Sequence, residues 1–76
     1  MIEAEIVIYG IPGDPNNDRA QATIKKLTGV RISQVVCPPS TGGLVRMPFI
    51  RDDLGSRHFG LEGIERFIDQ RISAAG

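Results

Sequence analysis

The run Ile6-Val7-Ile8-Tyr9 constrains the fold of this chain more than any other segment. Strand alternation places Ala4, Ile6 and Ile8 on one side and Val7 and Tyr9 on the other, so both sides are apolar after Glu5. A strand of that kind belongs in the middle of a sheet, covered on both faces. Pro12, Gly13 and Pro15 break it. Asp14 then fits a helix N-cap, with Pro15 at the first helical position, where its missing N–H costs nothing. Ala20, Ile24 and Leu27 follow at helical spacing and make a narrow inward stripe. Lys25 and Lys26 suit the negative end of the helix dipole, and Gly29 suits the left-handed residue beyond it.

Val30 to Val36 reads as a second strand. One helix separates it from the first, so the pair should form a right-handed β-α-β unit with parallel strands. Cys37-Pro38-Pro39-Ser40-Thr41-Gly42-Gly43 is a loop by composition. A third strand is expected to begin near Val45 and run through Met47-Pro48-Phe49-Ile50-Arg51. Asp52 to Ser56 is a turn, and Arg57-His58-Phe59 a short returning strand. The last helix should start near Leu61, with Ile64, Phe67, Ile68 and Ile72 on one face. Glu62, Glu65, Arg66, Asp69, Gln70 and Arg71 lie mostly on the other. The order β-α-β-β-β-α predicts an α/β domain with a four-stranded mixed sheet. A tight hairpin feeding a terminal helix favours the thioredoxin type over the ferredoxin-like one.

Seventy-six residues make one domain, 1–76, with a small core and a thin stability margin. A single cysteine excludes an internal disulfide, and no Cys/His spacing suggests zinc or another metal. Nine acidic and nine basic residues cancel, with no long block of either sign. That balance leaves no electrostatic footprint for nucleic acid or an anionic membrane. Glu3 and Glu5 stand where a signal peptide would need a basic region, and no segment approaches the ~20 apolar residues of a membrane span. A soluble, cytoplasmic domain is the expectation.

Ile6 through Ala20 resembles the segment in which a glutaredoxin carries its redox dithiol. Glutaredoxins read strand, then Lys-Pro-x-Cys-Pro-Tyr-Cys, then a helix. Here Pro12 and Pro15 match, while the two cysteine positions fall on Asp14 and Asn17. Two further segments are similar in order and spacing. Met47-Pro48 resembles the family's Val-Pro, where the proline is cis beside the dithiol and the preceding residue offers its backbone to glutathione or a peptide. Phe59-Gly60-Leu61 resembles the Gly-containing turn before the final helix, which helps hold the γ-glutamyl end of glutathione. The resemblance covers most of the chain. It implies a thioredoxin-like fold and a binding site at Ile11, Pro12, Asp14, Pro15, Met47, Pro48, Gly60 and Leu61.

Three departures from the family matter. Asp14 and Asn17 cannot exchange disulfides, because that chemistry needs a thiolate attacking sulfur. Ile11 replaces the usual basic residue, removing one contact to a glutathione carboxylate. The segment Cys37 to Arg46, with two prolines and two glycines, is too short for the helix that the family places there over one sheet face. The family's second helix should therefore be shortened or absent, leaving apolar sheet surface uncovered. Such a patch marks an interface, so the chain is expected to dimerise, or dock on a partner, near Val35, Cys37 and Leu44.

Each candidate residue also has an ordinary role. Asp14 is among the best helix caps, and the sharper reading makes it a fixed anion standing where the family holds a thiolate. Cys37 is the only sulfur nucleophile, and lone cysteines are mostly buried and inert. His58 with scattered carboxylates defines no metal site, and Asp52-Asp53 suits a turn rather than a calcium loop. Gly10-Ile11-Pro12-Gly13 lacks the Gly-Lys-Ser/Thr of a phosphate loop. Arg19, Arg46 and Arg57 are ordinarily solvated, though they would suit the flanks of an anionic ligand.

The expected function is a redox-inactive, glutaredoxin-like binding domain for a protein or peptide, with no cofactor and no thiol-disulfide oxidoreductase activity. A cis Pro48 would fix a backbone edge at Met47 for strand pairing. The first alternative is a thiol-dependent oxidoreductase or a glutathione-binding protein using Cys37. The second is a structural subunit whose bare sheet face completes an assembly.

Overall fold

The computed structural model describes residues 4–75; Glu3 of the N-terminal acidic pair lies outside them. Strand β1 spans Ala4–Gly10, helix α1 Pro15–Ile24, strand β2 Val30–Val36, strand β3 Phe49–Arg51, strand β4 Arg57–Phe59 and helix α2 Gly60–Ala75. The sheet order is β2-β1-β3-β4, with β1 parallel to β2, antiparallel to β3, and β3 antiparallel to β4. This is an α/β fold with a four-stranded mixed sheet and two α-helices.

The core lies on one side of the sheet. Ile6 and Ile8 of β1 and Ile50 of β3 meet Ala20 and Ile24 of α1 and Ile64, Phe67 and Ile68 of α2. Leu27, Val30, Ile32 and Leu61 pack around them. The stripe read from Ala20, Ile24 and Leu27 thus faces inward. The α-helix itself stops at Ile24, and Leu27 is carried by the following turn, where its N–H donates to the Ile24 carbonyl. Gly29 closes the connection with φ +71°, the left-handed conformation expected of it.

The other side of the sheet carries no helix among the described residues. The link from β2 to β3 contains one short 3₁₀ helix, Pro39–Gly43, and Leu44 just after it is 84% exposed.

Two expectations need correction. Strand β3 begins at Phe49, not near Val45. Val45 N–H turns back to the Thr41 carbonyl, and Pro48 has no N–H to give a ladder. Finally, the segment 37–43 is not wholly irregular, because it winds into the 3₁₀ helix.

Candidate functional site

The strand register decides which loops meet. Tyr9 pairs with Phe49 across β1 and β3, and Phe49 pairs with Phe59 across β3 and β4. One step beyond those pairs, Gly10-Ile11, Met47-Pro48 and Gly60 leave the sheet at the same end. The Met47-Pro48 peptide is cis. Gly60 N–H donates to the Pro48 carbonyl at 2.8 Å, which ties the start of α2 to the segment before β3. Cys37 N–H donates to the Gly10 carbonyl at 2.9 Å, extending the β1–β2 ladder by one residue.

Asp14 caps α1 from this end. Its backbone is extended (φ −78°, ψ 119°), and its Oδ1 accepts from Asn16 N–H at 3.0 Å, with Pro15 opening the helix. Asp14→Ala is expected to cost about 1 kcal/mol, the usual loss for an aspartate cap. A chemical denaturation midpoint shifted downward at unchanged slope checks it. No thiol and no base stands beside the carboxylate in the described hydrogen bonds.

Asn17 is placed differently. Its side chain runs inward under β1, where its Oδ1 is buried and has no hydrogen-bond partner among the described residues. Gly10 makes this possible: a Cβ there would lie 2.6 Å from Asn17 Cγ and would overlap Oδ1 outright. Asp14 and Asn17, three residues apart, therefore do not present two groups to one substrate.

The remaining expected site residues divide by exposure. Pro12 and Pro15 are exposed, and Ile11, Asp14 and Met47 are half-buried. Pro48 is fully buried with its carbonyl taken by Gly60, and Leu61 packs partly buried against the core. Of the three arginines considered as flanks for an anionic ligand, Arg46 lies in this neighbourhood. Gly60 has φ +69°, and a Cβ on it would approach Arg46 Nε and Nη2 to 3.3 Å, so the guanidinium lies over the first residue of α2. Arg19 is on α1 and Arg57 on β4, and nothing brings them to Arg46.

A second polar cluster holds the opposite end of the sheet. Asp52 is buried at 7% exposure, and its Oδ1 accepts from Leu54 N–H and Ser56 N–H, both at 2.9 Å. Its Oδ2 lies 2.9 Å from His58 Nε2. Burial pushes the Asp52 carboxyl up, but the His58 bond and the Ser56 and Leu54 amides outweigh it and hold the group below the ordinary aspartate value. His58 stacks on Phe67 at 4.4 Å, and Arg71 covers the same ring at 4.9 Å. Arg71 reaches Asp53 at 2.8 Å. That bond lowers the Asp53 carboxyl against a smaller opposing effect of burial, and raises Arg71.

This cluster fastens the β3–β4 hairpin to α2. A cavity of about 490 Å³ lies beside it, lined by residues that include Glu5, Val7 and Arg51. Sequence reading gave Asp52 a turn role and His58 a structural one, but it missed their partnership. The signal was available: an aspartate heading a five-residue turn, with a histidine two residues into the returning strand.

Among the described residues, no group of three His, Cys, Asp or Glu side chains is arranged to hold a metal, and no helix is long and apolar enough to cross a membrane. No family model, curated protein or solved structure gives a significant match to this chain.

Proposed function

We infer that this chain is a glutaredoxin-like domain of the thioredoxin type in which thiol chemistry has been replaced by binding of a protein or peptide segment. The observation that supports it most is the convergence at one sheet end: the capped start of α1, Met47-Pro48 and Gly60 come together where the resemblance puts a dithiol and its substrate groove. Asp14 and Asn17 offer no sulfur, and one of them is turned inward beneath Gly10. Met47, a half-buried residue, lies beyond the last ladder pair, a position that suits pairing with an extended peptide.

Arg46 favours a second reading, glutathione binding. Its guanidinium over Gly60 and the start of a sixteen-residue helix would suit a carboxylate.

The test restores the chemistry. In the double variant Asp14→Cys/Asn17→Cys, the thiol at position 14 should receive the Asn16 amide and titrate below its free value of ~8.5. Titration near ~8.5 would overturn the glutaredoxin-like reading. The unmodified protein should show no glutathione-dependent disulfide reduction. Activity that disappears in Cys37→Ser would replace the binding reading with the enzymatic one. Amide shifts at Arg46, Gly60 and Leu61 on glutathione titration would support the second reading; none would exclude it.

A further inference from the structure

The helix-free side of the sheet carries an ordered pattern that the reading above leaves unused. The register aligns Val35, Tyr9, Phe49 and Phe59 in one row across all four strands. Tyr9 and Phe49 stack at 4.5 Å with planes 8° apart, and Phe49 meets Phe59 at 5.1 Å. The first separation is close to the ~4.8 Å strand spacing. The rings therefore stand upright, faces toward neighbouring strands and edges toward solvent. Val35 and Phe59, at the two ends of the row, are 38% and 41% exposed.

One row lower, Arg51 and Arg57 are direct cross-strand partners on β3 and β4. Like charges so placed repel, and such a pair is ordinarily destabilising. Both are exposed, and neither has an ion-pair partner among the described residues. The nearby carboxylates are committed elsewhere: Glu5 accepts from Ser33 Oγ at 3.0 Å, Asp52 holds His58, and Asp53 holds Arg71. An upright aromatic row beside two unanswered arginines calls for a partner that is apolar along one stripe and acidic along its flank.

We propose that this face docks an acidic amphipathic helix of another protein, its apolar stripe on the Val35-Tyr9-Phe49-Phe59 row and its carboxylates on Arg51 and Arg57. The row spans three strand spacings, roughly 14 Å, which matches about 10 residues of helix at ~1.5 Å each. Single-stranded nucleic acid fits less well, because base stacking needs free ring faces and those between Tyr9 and Phe49 are already paired. A second copy docked face to face would bring the same two arginines to the contact, where Glu5 already accepts from Ser33. The proposal does not rest on the loop site at the end of the sheet.

The probes are two designed helical peptides of roughly 18 residues, long enough to hold helix on docking, with one leucine stripe and either Glu or Lys flanks. Fluorescence anisotropy should show the Glu-flanked peptide binding at least about tenfold more tightly at low salt, with the difference shrinking as salt rises. The variant Arg51→Glu/Arg57→Glu, altered only at exposed positions, should reverse the preference while keeping its circular dichroism and melting curve. Phe59→Ser should weaken both peptides. Equal binding of the two peptides, no binding of either, or a preference that survives the charge reversal overturns the proposal. So does a concentration-dependent dimer that Phe59→Ser abolishes, which would give the face to a second copy. Binding of an oligothymidylate that the acidic peptide cannot displace, and that the charge reversal abolishes, would give it to nucleic acid.

Discussion

Replacing Asp52 with alanine is expected to lower the unfolding free energy by about 2 to 3 kcal/mol, the scale of losing hydrogen bonds to one charged group. In a domain of this size that corresponds to roughly 10–20 °C in melting temperature. The reason is the number of separate elements that the carboxylate joins. It closes the β3–β4 turn through Leu54 and Ser56 and fixes His58, which in turn lies on Phe67 of α2. Alanine releases the turn and the histidine together. Asp52→Asn should cost less, since its Oδ1 can still accept from both amides.

The same pair of proteins separates charge from shape by pH. The folded Asp52 carboxyl lies below its ordinary value, so its contribution is complete above the unfolded-state value of ~3.9. It is lost as pH falls through the folded-state value, where the native state also takes up the proton. The stability gap between the unaltered protein and Asp52→Asn should therefore narrow below about pH 4. Urea midpoints across pH 3 to 7 measure it. A gap that stays fixed at low pH would show that Asp52 acts through shape alone. Asp53 is shifted the same way by Arg71, so Asp53→Asn should show a smaller narrowing over the same range. The ion pair is partly solvated, which limits its size.

How far the sequence could be read depended on which interactions are local. The cap at Asp14, the left-handed Gly29 and the Asp52 turn each depend on a few neighbouring residues, and all three were legible. So was the inward face of the last helix through Ile68, because helical spacing is a local property. Ile72 is 41% exposed, and periodicity says which side a residue faces but not how fully it is covered. The start of β3 was misjudged for a related reason. Val45 has a strand former's side chain, but its N–H is taken by Thr41 in a turn that composition alone does not locate. The aromatic row and the Arg51–Arg57 pair were out of reach for want of register. Tyr9, Phe49 and Phe59 are scattered in sequence and become neighbours only once three strands are aligned. At the loop site, the resemblance pointed to segments that the register does bring to one sheet end, but it did not say how Asp14 and Asn17 would be oriented. Their orientations differ because Asp14 is the N-cap, with an extended backbone outside the helix, whereas Asn17 belongs to the first turn of α1 and lies beneath Gly10.

Gly10→Ala is the second substitution expected to have a large effect, about 1 to 3 kcal/mol of destabilisation, as for other overpacked positions. Gly10 does not need a left-handed backbone, since it is absent from the glycines with positive φ. An alanine would otherwise help a strand, because glycine there costs roughly 0.5–1 kcal/mol. The obstacle is a single side chain: the new Cβ would fall on the Asn17 carboxamide, with Cγ at 2.6 Å. Relief requires the Asn17 carboxamide to leave its place beneath β1, at the first turn of α1. Asn17→Ala alone should be close to neutral, because the cavity it opens is offset by removing a buried oxygen that has no hydrogen-bond partner. The two changes should then fail to add. In the Asn17→Ala background the glycine substitution should become neutral or stabilising, giving a coupling energy of at least about 1 kcal/mol. Chemical denaturation of the four proteins closes the cycle. Additive losses would mean that Asn17 does not fill the space beneath β1, and that it remains free to face a ligand beside Asp14.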